Sequence, residues 1–302
     1  MCLFVRNWWR EEDSNLRSTR RQIYSLLGLT APQSLQFDDS YFCSRMILSQ
    51  PIIKLSKFNK EIILKDLNKE DFDLFLLRSI DSTNEECKRI SIKKKFLVVS
   101  ANKQTSGRGR HGRNWHTPEG NIALSISYEA KADGPPISLI TSIIVTNALS
   151  ESLNEEHIKI KWPNDIVFRR KKVAGILVEK EKCNDLSKII VGIGINLELG
   201  EEKESWWGDF SEFKLKNLRD EIINKILKGF EDYLERGIDS WLETWESKCM
   251  HLNKKIVFIK EEKEIEGVCK GITNQGHIKL DFNNKMQEFE SGEISIKGVY
   301  DY

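Results

Sequence analysis

Residues 107–115 read Gly-Arg-Gly-Arg-His-Gly-Arg-Asn-Trp and hold the densest chemistry in the chain. Gly107, Gly109 and Gly112 let the backbone take positive φ and lie close to a ligand. Between them stand Arg108, Arg110 and Arg113, planar and permanently charged forks that match phosphate or carboxylate oxygens. Successive N–H groups in such a turn also form a concavity for anions. The run has no Ser or Cys beside a base, so what it offers is charge neutralisation, orientation and cover, with Trp115 as the apolar piece of a lid. Two plainer accounts compete. Gly107-x-Gly109-x-x-Gly112 has the dinucleotide-binding spacing, but that fingerprint must open a helix in a βαβ unit. Residues 121–128 instead alternate as a strand. A glycine-arginine tract alone is also what a solvated, RNA-binding loop looks like.

The loop needs elements to carry it. Residues 96–101 form a buried-type strand that delivers Gln104-Thr105-Ser106 into it, and the strand from Ile122 leads away. Upstream, Asp81-Ser82-Thr83-Asn84-Glu85-Glu86 places capping residues and acids before Cys87-Lys88-Arg89-Ile90, a helix start. The same hydroxyls and N–H groups suit a small polar ligand. Residues 52–55 and 62–64 are strand-like, and 72–77 are an apolar entry to that motif. Residues 137–153 have the apolar spacing of a helix packed on a sheet. Residues 158–168 read as strand–turn–strand about Pro163-Asn164-Asp165. Strands follow at 172–179 and 189–197, so the expected sheet is mixed and mostly antiparallel, with flanking helices, in an α+β fold. Residues 218–245 predict one long helix with Ile222, Ile226, Phe230, Tyr233 and Leu234 in a stripe. Glycine-punctuated strands at 255–258, 266–272, 276–280 and 293–296 predict a small barrel. Trp206-Trp207 falls in a connecting loop without an assigned role.

Several residues also have a purely structural account. Trp162 and Pro163 suit packing and a turn, Asp165 a turn cap, and Gly175 and Gly194 close strand packing. Lys172 ends the basic run Arg169-Arg170-Lys171-Lys172, usually a solvated face; its place before Val173-Ala174-Gly175 singles it out.

Taken together, Gly-Arg-Gly-Arg-x-Gly-Arg-x-Trp at 107–115, Lys-Trp-Pro-Asn-Asp at 161–165, Lys-Val-Ala-Gly-Ile at 172–176 and Gly-Ile-Gly-Ile-Asn at 192–196 resemble biotin–protein ligases, the enzymes that biotinylate acetyl-CoA carboxylase. Each motif alone is weak. Four in one order, with Ser82-Thr83-Asn84 and Gln104 upstream, are specific, and the resemblance runs from about Ile80 onward. It implies a class II synthetase-like catalytic domain over 46–248 and an SH3-like domain over 249–302, where Phe289-x-Ser291-Gly292-Glu293 has a counterpart. It implies ATP and biotin as substrates, with Mg²⁺. Biotin's carboxylate attacks the α-phosphorus, and a lysine of the biotin carboxyl carrier protein then attacks the adenylate. Biotin contacts carry over onto Ser82, Thr83, Asn84, Gln104, Gly107, Arg108, Arg110, Lys172 and Gly175. Nucleotide contacts carry over onto Arg110, Arg113, Trp115, Asn164, Asp165, Lys172 and Asn196, with Asp165 as the Mg²⁺ ligand. Arg108, Arg110 and Lys172 would carry the catalytic charge. A lipoate–protein ligase shares this fold and chemistry, but the arginine loop and the Lys-Trp-Pro-Asn-Asp turn favour biotin.

The 302 residues are 39% hydrophobic and 31% charged, with a formal charge of +1, so no global pull toward nucleic acid or membrane exists. Six cysteines lack CxxC spacing, which suggests reduced thiols and argues against zinc. No apolar run reaches transmembrane length, making the cytoplasm the expected address. Residues 1–45 show only one plausible helix, near 22–27, whereas a helix-turn-helix needs two. They read as an appended tail or a misplaced start, with Met46 as an alternative. The expectation is the short type of ligase rather than a bifunctional repressor, without DNA binding and with a homodimer left open.

Overall fold

The computed structural model describes residues 58–131, 134–183, 185–200, 204–213, 217–292 and 294–297. All lie in the unit spanning Ser56–Tyr302. The readings made for residues 1–45 and 52–55 fall outside the described residues.

A short helix α1 (Lys60–Ile63) opens the described chain, capped by Asn59, whose side chain accepts from the N–H of Glu61 and Ile62. This corrects the strand expected at 62–64: three apolar residues carry no period, and the Asn cap decides. Next come β1 (Phe72–Leu77), α2 (Thr83–Arg89), β2 (Phe96–Ala101), β3 (Ile122–Ala130) and α3 (Ile137–Leu153). Then follow β4 (Lys159–Lys161), β5 (Asp165–Phe168), β6 (Lys171–Cys183) and β7 (Leu186–Ile195). They form a seven-stranded sheet in the order β1-β2-β3-β7-β6-β5-β4, in which only β1 and β2 pair in parallel. The mixed, mostly antiparallel sheet expected from the short connections is therefore present.

One face of this sheet is dry. Helix α3 buries Leu139, Ile140, Ile143 and Leu149 against it, and α4 (Leu218–Arg236) adds Ile222, Ile226 and Phe230. A Cβ on Gly229 would stand 2.6 Å from Ile144 Cγ2, so this glycine sets how closely the two helices approach. The long helix expected over 218–245 is two helices. Gly237 at φ 73° ends α4, its N–H on Tyr233 O, and α5 (Trp241–Lys248) starts anew. Glycine in that conformation is a stop signal. The opposite face is covered only in part. There α2 seats Cys87 on Leu97, Val99 and Ile190, leaving the β7-β6-β5-β4 side open.

The remaining strands are β8 (Lys255–Lys260), β9 (Lys263–Ile272), β10 (Ile278–Phe282), β11 (Lys285–Phe289) and β12 (Ser295–Lys297). They make a five-stranded antiparallel sheet, β11-β10-β9-β8-β12, curled around Phe258, Phe282 and Phe289. Tryptophan indoles fix the neighbouring pieces, Trp162 reaching the second sheet's β9–β10 loop and Trp245 tying α5 to α3. Trp162 Nε1 donates to Gly276 O at 3.0 Å, and Trp245 Nε1 donates to Ser142 Oγ at 3.1 Å. The packing account of Trp162 thus holds. No helix among the described residues is long and apolar enough to cross a membrane.

Where the two sheets meet, His251 is only 2% exposed and its Nε2 has no hydrogen-bond partner. Burial, helped by Lys161 and Lys254, pushes its pKa down from 6.5 to about 3. The unfolded chain therefore takes up this proton near neutrality, while the folded chain takes it up only near the lower value. Stability from this group is complete above pH ~6.5 and is lost as pH falls, by about 3 kcal/mol at pH 4. Urea unfolding at pH 7.5 and pH 4 should show a shallower acid loss for His251→Leu than for the unmodified chain. Equal losses would assign the acid sensitivity elsewhere.

Candidate active site

The open face of the first sheet floors a cleft of about 350 Å³, within the usual range for small-molecule sites. Its floor follows from strand register. Ala123, Gly194, Gly175, Asp165 and Lys161 are successive cross-strand partners on β3, β7, β6, β5 and β4. They form one row on one face. With strands about 4.8 Å apart, Gly194 and Lys161 stand roughly 14 Å from each other. Three small residues are followed by an acid and a base.

Over the small residues lies the indole of Trp115. A Cβ on Gly194 would stand 2.3 Å from its Cε2, and one on Gly175 3.0 Å from its Cζ3. These glycines serve a ring laid on the backbone rather than strand packing.

At one end of the floor the lining side chains Thr83, Asn84 and Gln104 are uncharged and hydrogen-bonded. Thr83 N–H and its hydroxyl donate to Gln104 Oε1 at 2.9 and 3.1 Å, and Gln104 Nε2 donates to Thr117 Oγ1 at 3.1 Å. Ser125 Oγ donates to Asn84 Oδ1 at 2.6 Å and lies 2.7 Å from Thr83 Oγ1; Asn84 Nδ2 donates to Glu179 at 2.7 Å. Gly192 lies under Asn84, whose Oδ1 would be 2.4 Å from an added Cβ. Ser82 is the N-cap residue of α2 but makes no side-chain cap bond. Simple capping therefore does not account for these side chains, which are buried and line the cleft.

The glycine-arginine run closes on itself as a narrow hairpin. Gly109 N–H donates to Arg113 O at 2.7 Å and Trp115 N–H to Gly107 O at 2.9 Å. The turn passes through His111 at φ 54° and Gly112 at φ 71°. Arg108 pairs with Glu85 at 2.8 Å on the rim. Lys88 and Arg108 hold the Glu85 carboxyl below its usual range. Arg110 is partly buried. Its guanidinium donates to Asn164 Oδ1 at 3.1 Å and to the hydroxyl of Ser291, which belongs to the second sheet's loop. Burial lowers the Arg110 pKa, yet an arginine remains charged. Arg113 stands exposed beside it.

At the charged end, Lys172 Nζ is 2.7 Å from Asp165 Oδ1, with the two side chains 17% and 15% exposed, and 5.4 Å from the Trp115 ring centre. Lys172 is therefore not part of a solvated basic face, and Asp165 does more than cap its turn. Asn164 Nδ2 donates to Ile176 O at 2.8 Å, and Asn196 Nδ2 donates to Gly208 O at 3.1 Å. Both asparagines hold scaffold as well as line the cleft. Lys172 N–H donates to Trp206 O at 3.0 Å and Gly208 N–H to Lys172 O at 2.8 Å. These bonds lay Trp206 and Trp207 along β6 as an aromatic wall, rings edge to face at 5.5 Å.

All the residues singled out from the sequence line this cleft except Gly107, which is buried behind Gln104 and Trp115. Lys161, the tryptophan pair and Ile294 line it as well, while Ser125 and Ser291 act from behind it, on Asn84 and on Arg110. The tryptophan pair was visible as an unplaced motif. Ser125 and Ile294 had no local signal. Asp165 is the one carboxylate among the described lining residues, and no cluster of three His, Cys, Asp or Glu that could hold a metal occurs among the described residues. The cleft accepts an elongated ligand with a neutral polar head, an apolar middle and an anionic tail.

Residues 76–196 match the biotin/lipoate A/B protein ligase family, and residues 251–297 match the biotin protein ligase C terminal domain. The bifunctional ligase/repressor BirA of Escherichia coli is 31% identical over 238 residues, 74% of each chain. The biotin–[acetyl-CoA-carboxylase] ligase of Paracoccus denitrificans is 33% identical over 128 residues, 40% of this chain and 53% of that one. The solved biotin protein ligase of Aquifex aeolicus in complex with biotin and ATP superimposes with a TM-score of 0.61 at 27% identity, covering 74% of this chain and 98% of that one.

Proposed function

Since the chain belongs to the biotin/lipoate protein ligase family, we propose that this cleft joins biotin to ATP as biotinyl-5′-AMP and passes the biotinyl group to a lysine of a biotin carboxyl carrier protein. The observation that carries this is the polarity of the floor, running from Thr83 and Gln104, over Gly194 and Gly175, to Asp165, Lys172 and Lys161. A ureido ring has the donors and acceptors for the first end. The valeryl chain lies over the glycines under Trp115. The carboxylate then meets the α-phosphate at Lys172.

Two anions must meet here, so catalysis is charge neutralisation and alignment rather than covalent attack by the protein. Arg110 is held in place by Asn164 and Ser291. Trp206 and Trp207 wall the side where the nucleoside sits. Trp115 and the arginine hairpin exclude water, which otherwise hydrolyses the mixed anhydride. Asp165 is already paired with Lys172 and has no second described carboxylate beside it. These residues do not build a resident magnesium site, and Mg²⁺ is assigned to the nucleotide it arrives with.

Exchange of labelled pyrophosphate into ATP tests the reading. Biotin should support exchange at least ~100-fold above lipoate, because a site lined with buried polar groups rejects a ligand that leaves them unpaired. Exchange with lipoate and not with biotin would overturn it.

A further inference from the structure

We propose that Lys161 grips the β- and γ-phosphates of ATP and then the departing pyrophosphate. The assignment rests on the adenylation reading above and deepens it.

Lys161 is the last member of the floor row, partner of Asp165 across the β4–β5 hairpin. Its mostly buried side chain lines the cleft. Position along the row decides its role. The carboxylate approaches from the Gly194 side, and an in-line displacement at phosphorus puts the leaving oxygen on the side opposite the attacker. Travelling away from Gly194, the row passes Gly175 and Asp165, the partner of Lys172, and ends at Lys161. The nucleoside is diverted to Trp206 and Trp207, which lie along the Lys172 backbone. The pyrophosphate is left with the Lys161 end.

The charge balance agrees. Asp165, Lys172 and Arg113 are among the charges that act on Lys161, and His251 lies near enough to feel its charge. Burial brings the Lys161 ammonium down to about 8; Lys172 and Arg113 push the same way, and Asp165 opposes them. Lys161, Lys172 and Arg113 thus bring three cationic side chains to one shielded corner, a setting that suits a polyanion.

The step balances without a proton. A biotin carboxylate oxygen forms a bond to the α-phosphorus, and the bond from that phosphorus to the bridging oxygen breaks. The electron pair stays on the pyrophosphate. Lys161 donates a charge-assisted hydrogen bond to that developing charge and keeps its proton.

Separating the half-reactions tests the assignment, because pyrophosphate takes part only in the first. Lys161→Met should raise the pyrophosphate KM in biotin-dependent exchange at least ~30-fold, consistent with loss of a hydrogen bond to a charged group. Single-turnover transfer from preformed biotinyl-5′-AMP to a carrier domain should stay within about twofold, since adenylate and acceptor do not use this grip. Lys161→Arg should restore most of the exchange. Parallel loss of both half-reactions would make Lys161 a structural residue, and unchanged exchange would remove it from the phosphate site; either overturns the proposal. An unmodified chain without biotin-dependent exchange would overturn the adenylation reading itself.

Discussion

Gly194→Val is expected to cut biotin-dependent adenylation by at least ~100-fold, the order of loss that a 1 Å misplacement near the reacting atoms produces, while the chain stays folded. The added Cβ would lie 2.3 Å from Trp115 Cε2, and the obstacle is a side chain on a surface hairpin rather than backbone. The ring yields before the sheet does. Gly194 lacks the positive φ that would strain a side chain, so far-UV circular dichroism and the urea midpoint should change little. The cause can be isolated. Combining Trp115→Ala with Gly194→Ala should cost no more than Trp115→Ala alone if the two act through one contact. Strictly additive losses, or a Gly194→Val variant with ordinary exchange, would refute the role given to the glycine floor.

Lys172→Met should lower the rate of adenylation by roughly 10²–10³, the effect of removing one preorganised group aimed at developing charge. Two losses combine. The α-phosphate end loses its nearest ammonium, and Asp165 is left as a shielded carboxylate without its 2.7 Å partner. The second loss predicts that Lys172→Met/Asp165→Asn is more stable than Lys172→Met, although no more active. Rapid-quench measurement of adenylate formation, beside urea unfolding of the three variants, separates the two effects. Activity within threefold of the unmodified chain would sink the assignment.

Much of this site was legible because its parts are local in sequence. The arginine hairpin and the Pro163 turn announce themselves by composition, and α3 by the length of its apolar run over 137–153, which is buried on nearly every side. What local pattern cannot supply is register. Gly194, Gly175, Asp165 and Lys161 belong to three separate motifs, and only the pairing of β7, β6, β5 and β4 sets them in a row. For the same reason Lys161 stood inside a quoted motif without a role. Trp206 and Trp207 were conspicuous yet unplaced, since the backbone bonds that bring them to the cleft are made to Lys172. The two misread elements failed differently. Residues 62–64 were too few to show a period, and Gly237 was a stop signal hidden by an apolar stripe that continues past it.

The bond between Arg110 and Ser291 joins residues 181 positions apart, and this has a consequence for the protein as it is being made. A chain emerging from a ribosome folds from its earlier-made parts first. The sheet, its glycine floor and the arginine hairpin can all assemble once β7, and α4 that covers the dry face, are out. At that stage Arg110 has only Asn164 to direct it, and the wall carrying Ile294 and Ile296 does not yet exist. A nascent chain therefore owns a floor without a closed chamber. The chamber that shields a reactive anhydride from water is complete only when the second sheet has docked.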